Sequence, residues 1–321
     1  MSSYPPIAHA ADLAGLDPQD WFAALEDVVE EHGSYNFLGK SHTAGFIEAG
    51  RNLLVTFESA EAVVATRHPA EPVGFAHIPT DGWSHLGVFS KENSWFRHEK
   101  VYAYFDRLID DGFFDSFENI LFFGADGGGY AACAYSVAAP GARVLAIRPQ
   151  ATLDPQVTGF DQRYRAHRRQ NFQGRYGFAP AMIDAAQEVS IAFDPLQRLD
   201  AVHAALFTKP HVHALRCTAM GQKLDKGLEA LGISADLRRA AMAGRLDALT
   251  FASLMRARRT NAAYLRRMLT WTESAKKPRL AATVCAHAIR SGFIPVFEDK
   301  LKELEGQGHK PFRPLTIRAA E

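Results

Sequence analysis

Residues 117–150 constrain the fold more than any other stretch, because a strand, a sharp turn, a helix and a second strand follow one another there. Residues 120–123 form a short apolar run of the buried-strand type, which ends at a glycine-rich turn, residues 124–129. A helix of small and aromatic residues follows up to the Pro-Gly pair at 140–141, and residues 143–147 form the next strand. This βαβ pattern predicts a parallel sheet whose sites lie at the carboxyl ends of its strands.

The glycine-rich turn has the spacing G-x-S-x-G, with Gly124 and Gly128 as the outer glycines and Asp126 where that motif has serine. Glycines suit these positions because the turn is strained and its flanking strand and helix pass too closely to admit a Cβ atom. A glycine-rich turn after a strand also binds phosphate in other folds. The Lys-Ser/Thr pair of a P-loop is absent, however, and G-x-G-x-x-G does not match.

Residues 124–130 resemble the G-x-S-x-G-G-Y nucleophile elbow of serine esterases with the α/β-hydrolase fold. Aspartate at the tip resembles instead the haloalkane dehalogenase and epoxide hydrolase branches, in which a carboxylate attacks carbon and a histidine-activated water frees the ester. Across residues 83–224 the chain is similar to a group of bacterial α/β-hydrolase-like proteins often labelled phosphoadenosine phosphosulfate reductase. The resemblance implies an α/β class with an α/β-hydrolase-like, mainly parallel, doubly wound sheet that carries Asp126 at the carboxyl end of its central strand.

The same resemblance indicates the other two positions of a catalytic triad. Asp194 closes the strand at residues 189–193, where a hydrolase keeps the acid that orients its histidine, although Asp-Pro is also a common turn starter. The loop after the last strand, residues 212–217, is where the catalytic histidine would lie, and it holds Gln222. The amide of Gln222 can bind a ligand through hydrogen bonds but cannot act as a general base.

These substitutions predict an α/β-hydrolase-fold protein with a degenerate catalytic triad, which binds a small polar or anionic ligand or a partner. The alternative is an active hydrolase in which Asp126 is a carboxylate nucleophile. That reaction needs an activated water, and His203, His211 and His213 are the histidines available nearby in sequence. A phosphoadenosine phosphosulfate reductase is a minor alternative, because its phosphate motif with Lys and Ser is absent and no cysteine follows Cys285.

Two further segments are candidates for contact with a ligand. The loop that begins at Ser90 would face the turn, so its backbone N–H groups and that of Gly127 are candidate oxyanion donors; an ordinary βα loop is the alternative. Residues 150–180 read as a polar, cap-like insertion whose arginines would clamp an anion or, alternatively, form a solvated helix face. The candidate arginines are Arg163, Arg168 and Arg169. If the insertion covers the site, they should hold the pKa of Asp126 low.

Composition narrows the remaining classes of function. The chain of 321 residues has 36 basic and 36 acidic residues, so its charge gives no reason to expect nucleic acid or an anionic membrane as a partner. Cys133, Cys217 and Cys285 lack metal-ligand spacing and fit free, buried thiols. We expect neither a metal nor a cofactor. Without a signal region or an apolar run of membrane-spanning length in the sequence, a cytoplasmic location is expected.

The chain divides by its pattern into two parts. Residues 1–233 are predicted to form the α/β-hydrolase-like domain, with further strands at residues 52–57, 73–78 and 83–89. From Ser234 onward the pattern changes to helices separated by short turns. Residues 234–321 are therefore predicted to be an α-helical C-terminal extension, which binds protein, self-associates or packs on the sheet.

Overall fold

The structure is a computed structural model that describes residues 13–67, 69–293 and 295–312. The described residues form a sheet of eight strands: β1 (Ser34–Phe37), β2 (His42–Ile47), β3 (Asn52–Ser59), β4 (Ser84–Ser90), β5 (Asn119–Ala125), β6 (Arg143–Ile147), β7 (Glu188–Phe193) and β8 (Val212–Arg216). Their order across the sheet is β1-β2-β4-β3-β5-β6-β7-β8. Only β2 pairs antiparallel with its neighbours, β1 and β4, and every other pair is parallel. The predicted, mainly parallel α/β sheet is confirmed.

Helices cover both faces of this sheet. They are α1 (Pro18–His32), α2 (Ala60–Thr66), α3 (His77–Asp81), α4 (Glu99–Asp110), α5 (Gly127–Tyr135), α6 (Pro155–Thr158), α7 (Ala179–Met182), α8 (Arg198–Ala205), α9 (Leu224–Ala230), α10 (Ser234–Met242), α11 (Ala248–Leu254), α12 (Ala262–Ser274), α13 (Pro278–Arg290) and α14 (Pro295–Gly306). α1 begins where its sequence predicts, because the Asp17 side chain accepts the N–H groups of Gln19 and Asp20 at 2.8 and 3.0 Å. No helix in the described part of the chain is long and apolar enough to cross a membrane.

The direction of winding reverses between β3 and β5. The chain passes from β3 to β4 on one side, and β5 then pairs with β3 on the other. In open α/β sheets, ligands bind outside the carboxyl ends of the strands at such a switch point. Phe57 of β3 pairs with Gly124 of β5 at this end, so the glycine-rich turn stands at the switch point. The sheet order, together with a sharp turn after the central strand, defines an α/β-hydrolase-like fold.

The C-terminal helices pack on one face of the sheet and share its core. A single buried cluster contains Leu121 and Leu145 of the sheet and Leu237 and Met242 of α10. Helix α10 contacts β5 and β6 directly, and α12, α13 and α14 then pack on one another in turn. Burial of these side chains from both parts is the main force that holds them together.

One predicted strand is wrong. Residues 73–78 were expected to form a strand, but they form a turn that leads into α3. A short apolar run is compatible with either structure, and here local contacts favour the helix. His77 Nδ1 lies 2.7 Å from Asp81 one turn later, and Gly82, at φ +65°, ends the helix with its N–H bonded to two carbonyls. Strands β1 and β2 were not foreseen at all.

Candidate functional site

Asp126 occupies the tip of the turn between β5 and α5. Its backbone has φ 53° and ψ −119°, a combination that residues other than glycine rarely adopt. The Asp126 N–H donates to Ile147 O at 2.9 Å, and its carbonyl accepts the Tyr130 N–H at 2.9 Å. Because the turn is fixed on both sides, the strained conformation is maintained and the carboxylate stands at the carboxyl end of the central strand.

The outer glycines of the turn sit where no other residue fits. A Cβ atom on Gly124 would lie 2.2 Å from Gly128 O, and one on Gly128 would lie 2.2 Å from Phe57 O. Both distances are well below van der Waals contact and involve backbone atoms, which cannot swing away. The close approach of strand and helix that the sequence indicated is therefore present.

The Asp126 carboxylate forms an ion pair with the guanidinium of Arg148, the residue that follows β6. Burial raises the pKa of Asp126 to about 6, because desolvation and the carboxylates of Asp225 and Asp200 together outweigh the attraction of Arg148. The expectation of a low pKa was wrong. The arginine that reaches Asp126 comes from the end of a strand rather than from the insertion, and a single guanidinium does not offset the loss of water.

Arg163 is held by two carboxylates. Its guanidinium lies 2.7 Å from Asp161 and 2.6 Å from Asp200, and Asp200 also lies 3.7 Å from Arg148. The Asp161 carboxylate in turn lies 3.1 Å from Nε2 of the buried His203. The ion pairs thus run as a chain of alternating charges from Asp161 through Arg163, Asp200 and Arg148 to Asp126, and they connect the insertion to the site.

Arg168 and Arg169 differ in their surroundings. Arg168 donates through Nη2 to the carbonyls of Thr158, at 3.0 Å, and of Asp161. Its side chain therefore ties the insertion to itself, while Arg169 is exposed. The insertion has no continuous helix but consists of α6, α7 and a 3-10 turn at Arg165–Arg169. The prediction that these arginines bind an anion stays a prediction.

Asp194 lies at the end of β7, where the sequence placed it, and its side chain is fully buried. Its carboxylate accepts three backbone N–H groups: Leu196 at 3.0 Å, Ala219 at 3.1 Å and Gly221 at 2.7 Å. Gln222 follows directly and is exposed. Within the described residues, no hydrogen bond joins Gln222 to Asp194 or Asp126. Asp194 thus fixes the loop after β8 and orients no side chain of that loop.

The candidate histidines are bonded elsewhere. His203 accepts the Ala151 N–H through Nδ1 at 3.1 Å, so both of its nitrogens are occupied. His211 Nε2 lies 3.0 Å from Ile183 O, and His213 is exposed on the edge strand β8. Across residues 13–67, 69–293 and 295–312, no histidine hydrogen-bonds to Asp126 or Asp194.

The C-terminal helices also contact the loop after β8. The hydroxyl of Tyr264, on α12, donates to Thr218 O at 3.3 Å, and Arg267 Nε donates to Ala219 O at 3.4 Å. This loop is where a catalytic histidine would lie by the family resemblance. Asp194 and α12 both bond to the backbone of this loop and fix its position. The sequence did not indicate this arrangement.

The loop after β4 lies against the turn, as predicted. A Cβ atom on Gly127 would lie 2.3 Å from Asn93 Oδ1 and 3.4 Å from the Trp95 ring. Trp95 Nε1 donates to Gln150 Oε1 at 3.0 Å, which ties this loop to the start of the insertion. Ser90 Oγ is buried and has no hydrogen-bond partner among the described residues. The role of this loop as an oxyanion hole stays a prediction.

A cavity of about 130 Å³ opens at the switch point beside Asp126. Its polar lining comes from the end of β3, from α2, α9 and α10, and from the loop after β4. The charged or amide-bearing lining residues are Glu58, Arg67, Asn93, Asp126, Asp225, Glu229 and Arg238. Glu58 and Arg67 form an ion pair with each other. The described residues contain no group of three potential metal ligands placed to hold an ion.

Sequence reasoning missed Arg148, which pairs with Asp126, and Arg238, which lines the cavity. Arg148 directly follows a strand that ends beside the turn, and the carboxyl ends of strands were already the expected place for a site. Arg238 lies between Leu237 and Ala241 on the buried face of α10. A charged residue on an otherwise apolar helix face is visible in the sequence, and it could have indicated that Arg238 is a binding residue.

The fold and this cavity define a protein of α/β-hydrolase-like architecture, and comparisons with known proteins assign no function to it. Neither the family models nor the curated proteins searched contain a match. Among solved structures, the Pyrobaculum calidifontis esterase is 15% identical, over 75% of this chain and 96% of its own, with a TM-score of 0.41. The carboxylesterase EstE1 from a metagenomic library is 14% identical, over 75% and 98%, with a TM-score of 0.40.

A third structure is an acyltransferase rather than an esterase. The capsule O-acetyltransferase of Neisseria meningitidis serogroup A is 11% identical, over 60% of this chain and 89% of its own, with a TM-score of 0.36. Identities and TM-scores this low transfer neither an activity nor a substrate. The function has to be argued from the residues at the cavity.

Proposed function

We propose that this protein is a ligand-binding member of the α/β-hydrolase-like fold that does not catalyse hydrolysis. Asp126, Asp194 and Gln222 would be the remnants of a catalytic triad, with the turn at Asp126 a former nucleophile elbow. The ligand would be a small polar molecule that occupies the cavity at the switch point. A cavity with convergent polar groups and a titratable residue of shifted pKa is a typical binding site.

The bonding of Asp194 carries this proposal. In a Ser-His-Asp triad, the acid accepts the Nδ1–H of histidine and stabilises the imidazolium that forms. Here the Asp194 carboxylate accepts the N–H groups of Leu196, Ala219 and Gly221. A carboxylate with three backbone donors is already satisfied, and its role is to shape the loop. Within the described residues, no histidine hydrogen-bonds to Asp194 or Asp126, which supports the loss of the general base.

The alternative, an active hydrolase with Asp126 as nucleophile, meets two obstacles. The carboxylate is paired with Arg148, which lowers its nucleophilicity because the guanidinium withdraws charge from the attacking oxygen. An ester on Asp126 would also need an activated water, but His203 and His211 bond elsewhere and His213 is exposed on the edge strand β8. A reaction would stop at the ester.

The reductase alternative finds no support in the thiols. Cys133, Cys217 and Cys285 are all buried. Burial raises the pKa of Cys217 to about 12 and that of Cys285 to about 11, so neither is a thiolate near neutral pH. Redox chemistry on a sulfur-bearing substrate requires a reachable thiolate. The proposal of ligand binding therefore stands ahead of it.

Measured turnover tests the proposal. The protein would be incubated with short-chain p-nitrophenyl esters, a haloalkane and an epoxide, beside Asp126→Asn and the control Asp184→Asn. Asp184 is 70% exposed and pairs with Lys209, away from the cavity. We expect all three proteins to match the buffer rate. Hydrolysis by the wild type and the control that is lost in Asp126→Asn would contradict the proposal.

A further inference from the structure

We propose that the cavity binds a small zwitterion, with its carboxylate on Arg238 and its ammonium group at Asp225, on α9. This inference rests on the proposed ligand-binding function and names the chemical class of the ligand. It also assigns Arg238, which no sequence motif singled out, as a binding residue.

Arg238 is a buried cation with free donors. Its residue is 7% exposed, and its guanidinium lies 5.1 Å from the centre of the Phe123 ring, which lines the same cavity. Nε donates to His77 Nε2 at 2.8 Å. Neither Nη atom has a hydrogen-bond partner among the described residues. A buried guanidinium with two unused nitrogens requires an acceptor, and a carboxylate fits its fork in a bidentate way.

The orientation of this guanidinium is fixed in advance. His77 Nδ1 lies 2.7 Å from the Asp81 carboxylate, which can only accept, so Nδ1 carries the proton and Nε2 accepts from Arg238. The His77 ring is also stacked on Trp83 at 4.4 Å. A side chain held in this way loses little entropy when a ligand binds, which favours affinity.

Helix α9 contributes two acidic side chains to the lining of the cavity. Asp225 and Glu229 are four residues apart on α9 and line the cavity on the same helix face. Neither forms an ion pair within the described residues. Since Glu58 pairs with Arg67 and Asp126 pairs with Arg148, the lining retains one positive charge, Arg238, and two negative ones, Asp225 and Glu229. A cationic group facing α9 balances this charge.

The volume of the cavity limits the length of the ligand. A space of about 130 Å³ is slightly smaller than a cavity that holds benzene, so it admits about six heavy atoms. A carboxylate and an ammonium group take up four of these atoms, counting the carboxyl carbon. About two methylene groups are left to join them, as in β-alanine.

Calorimetric titration with ω-amino acids tests the inference. The probes are glycine, β-alanine, 4-aminobutyrate and 5-aminovalerate, with butyrate and butylamine as ligands that lack one charge each. We expect the best affinity at an intermediate chain length. Binding should weaken by roughly tenfold or more when either charge is missing, or in Arg238→Gln and Asp225→Asn. Arg256→Gln, an exposed arginine of the C-terminal helices, serves as control and should bind like the wild type.

The outcomes separate this inference from the proposed function. Equal affinity for butyrate and 4-aminobutyrate, unchanged in Arg238→Gln, would overturn the zwitterion but leave a ligand-binding protein. The absence of binding by every probe would overturn the inference as well. Turnover that depends on Asp126 would instead overturn the proposed function. Circular dichroism shows whether Arg238→Gln folds. If it does not, the affinity of Asp225→Asn decides the test, because Asp225 is partly exposed and contributes no core packing.

Discussion

The carboxylate of Asp126 and the guanidinium of Arg148 form an ion pair across the ends of two adjacent strands, β5 and β6. Arg148 also lies 3.7 Å from Asp200, and so it connects Asp126 to the ion pairs of Arg163. In a carboxylate-nucleophile hydrolase, the attacking oxygen must be free to reach the substrate. Here the nearest partner of Asp126 is a protein cation, and this pairing has measurable consequences.

The titration of Asp126 should show the balance between burial and Arg148. We expect a midpoint at about 6 in the wild type, followed by carboxyl carbon chemical shifts in NMR. Arg148→Met should raise the pKa of Asp126 further, because it removes the charge that lowers it. A wild-type midpoint at or below the ordinary value of 3.8 would show that the ion pair outweighs burial.

The same shift predicts how stability changes with pH. A carboxyl whose folded pKa is raised favours the folded state while it is protonated, so that favourable difference is present at low pH and disappears as the pH rises from about 4 through about 6. Relative to Asp126→Asn, the wild type should therefore lose stability over this window. Urea unfolding at pH 4, 5, 6 and 7 measures it, and a constant difference between the two proteins would contradict the raised pKa.

Gly124 should tolerate no side chain. In Gly124→Ala the new methyl would lie 2.2 Å from Gly128 O, so we expect a loss of about 3 kcal/mol of stability or more, or failure to fold. Gly306→Ala is the matched control, since nothing lies within 4 Å of its Cβ and it ends α14. The control should be neutral or stabilised by up to about 1 kcal/mol. Similar melting temperatures for the two variants would show that strand and helix do not pass so closely.

Asp194 should matter for stability rather than for proton transfer. Asp194→Asn replaces one acceptor oxygen by an NH₂ group that faces a backbone N–H, so a loss of about 1–3 kcal/mol is expected. Asp184→Asn removes only an exposed ion pair with Lys209 and should cost less than about 1 kcal/mol. Urea unfolding of both variants compares them. An unchanged midpoint for Asp194→Asn would leave the carboxylate free for another role.

A chain that ends at residue 233 should not fold on its own. Removing α10 to α14 would expose Leu121 and Leu145 on one face of the sheet. A large exposed apolar surface of this kind favours aggregation. Expression of residues 1–233 is expected to give protein that is insoluble or that binds a hydrophobic dye through its exposed apolar surface. A cooperative thermal transition in this fragment would show instead that residues 234–321 are a separable extension.

The parts of the fold that local sequence encodes were predictable. The strand, glycine turn and helix at residues 119–135 follow from close packing that only glycine allows, and the Asp17 cap follows from one side chain and two N–H groups. Strands β1 and β2 were missed because they are short, and β2, with which β1 pairs, joins the sheet through β4, a contact between distant residues. The strand predicted at residues 73–78 was wrong, because a helix of only five residues is too short to show a helical period in the sequence.

The candidate site was predictable in position but not in chemistry. Asp126 and Asp194 stand at the strand ends where the resemblance placed them. Their partners were not predictable, because Arg148 reaches Asp126 only through strand pairing, and two of the three donors to Asp194 are backbone groups of a loop 25 to 27 residues away. The charge of the cavity likewise depends on α9 and α10, which the sequence assigned to no site.

The formation of an ester on Asp126 tests the central claim most directly. Without an activated water, any attack by this carboxylate would leave a stable covalent adduct, which intact-protein mass spectrometry detects at a single turnover. The wild type and Asp126→Asn would be treated with a reactive alkyl halide and an epoxide, and the products digested to locate any modification. We expect the two proteins to gain the same mass on treatment, with no modification at residue 126. An added mass on Asp126 in the wild type, absent from Asp126→Asn, would contradict the account of a non-catalytic, ligand-binding protein.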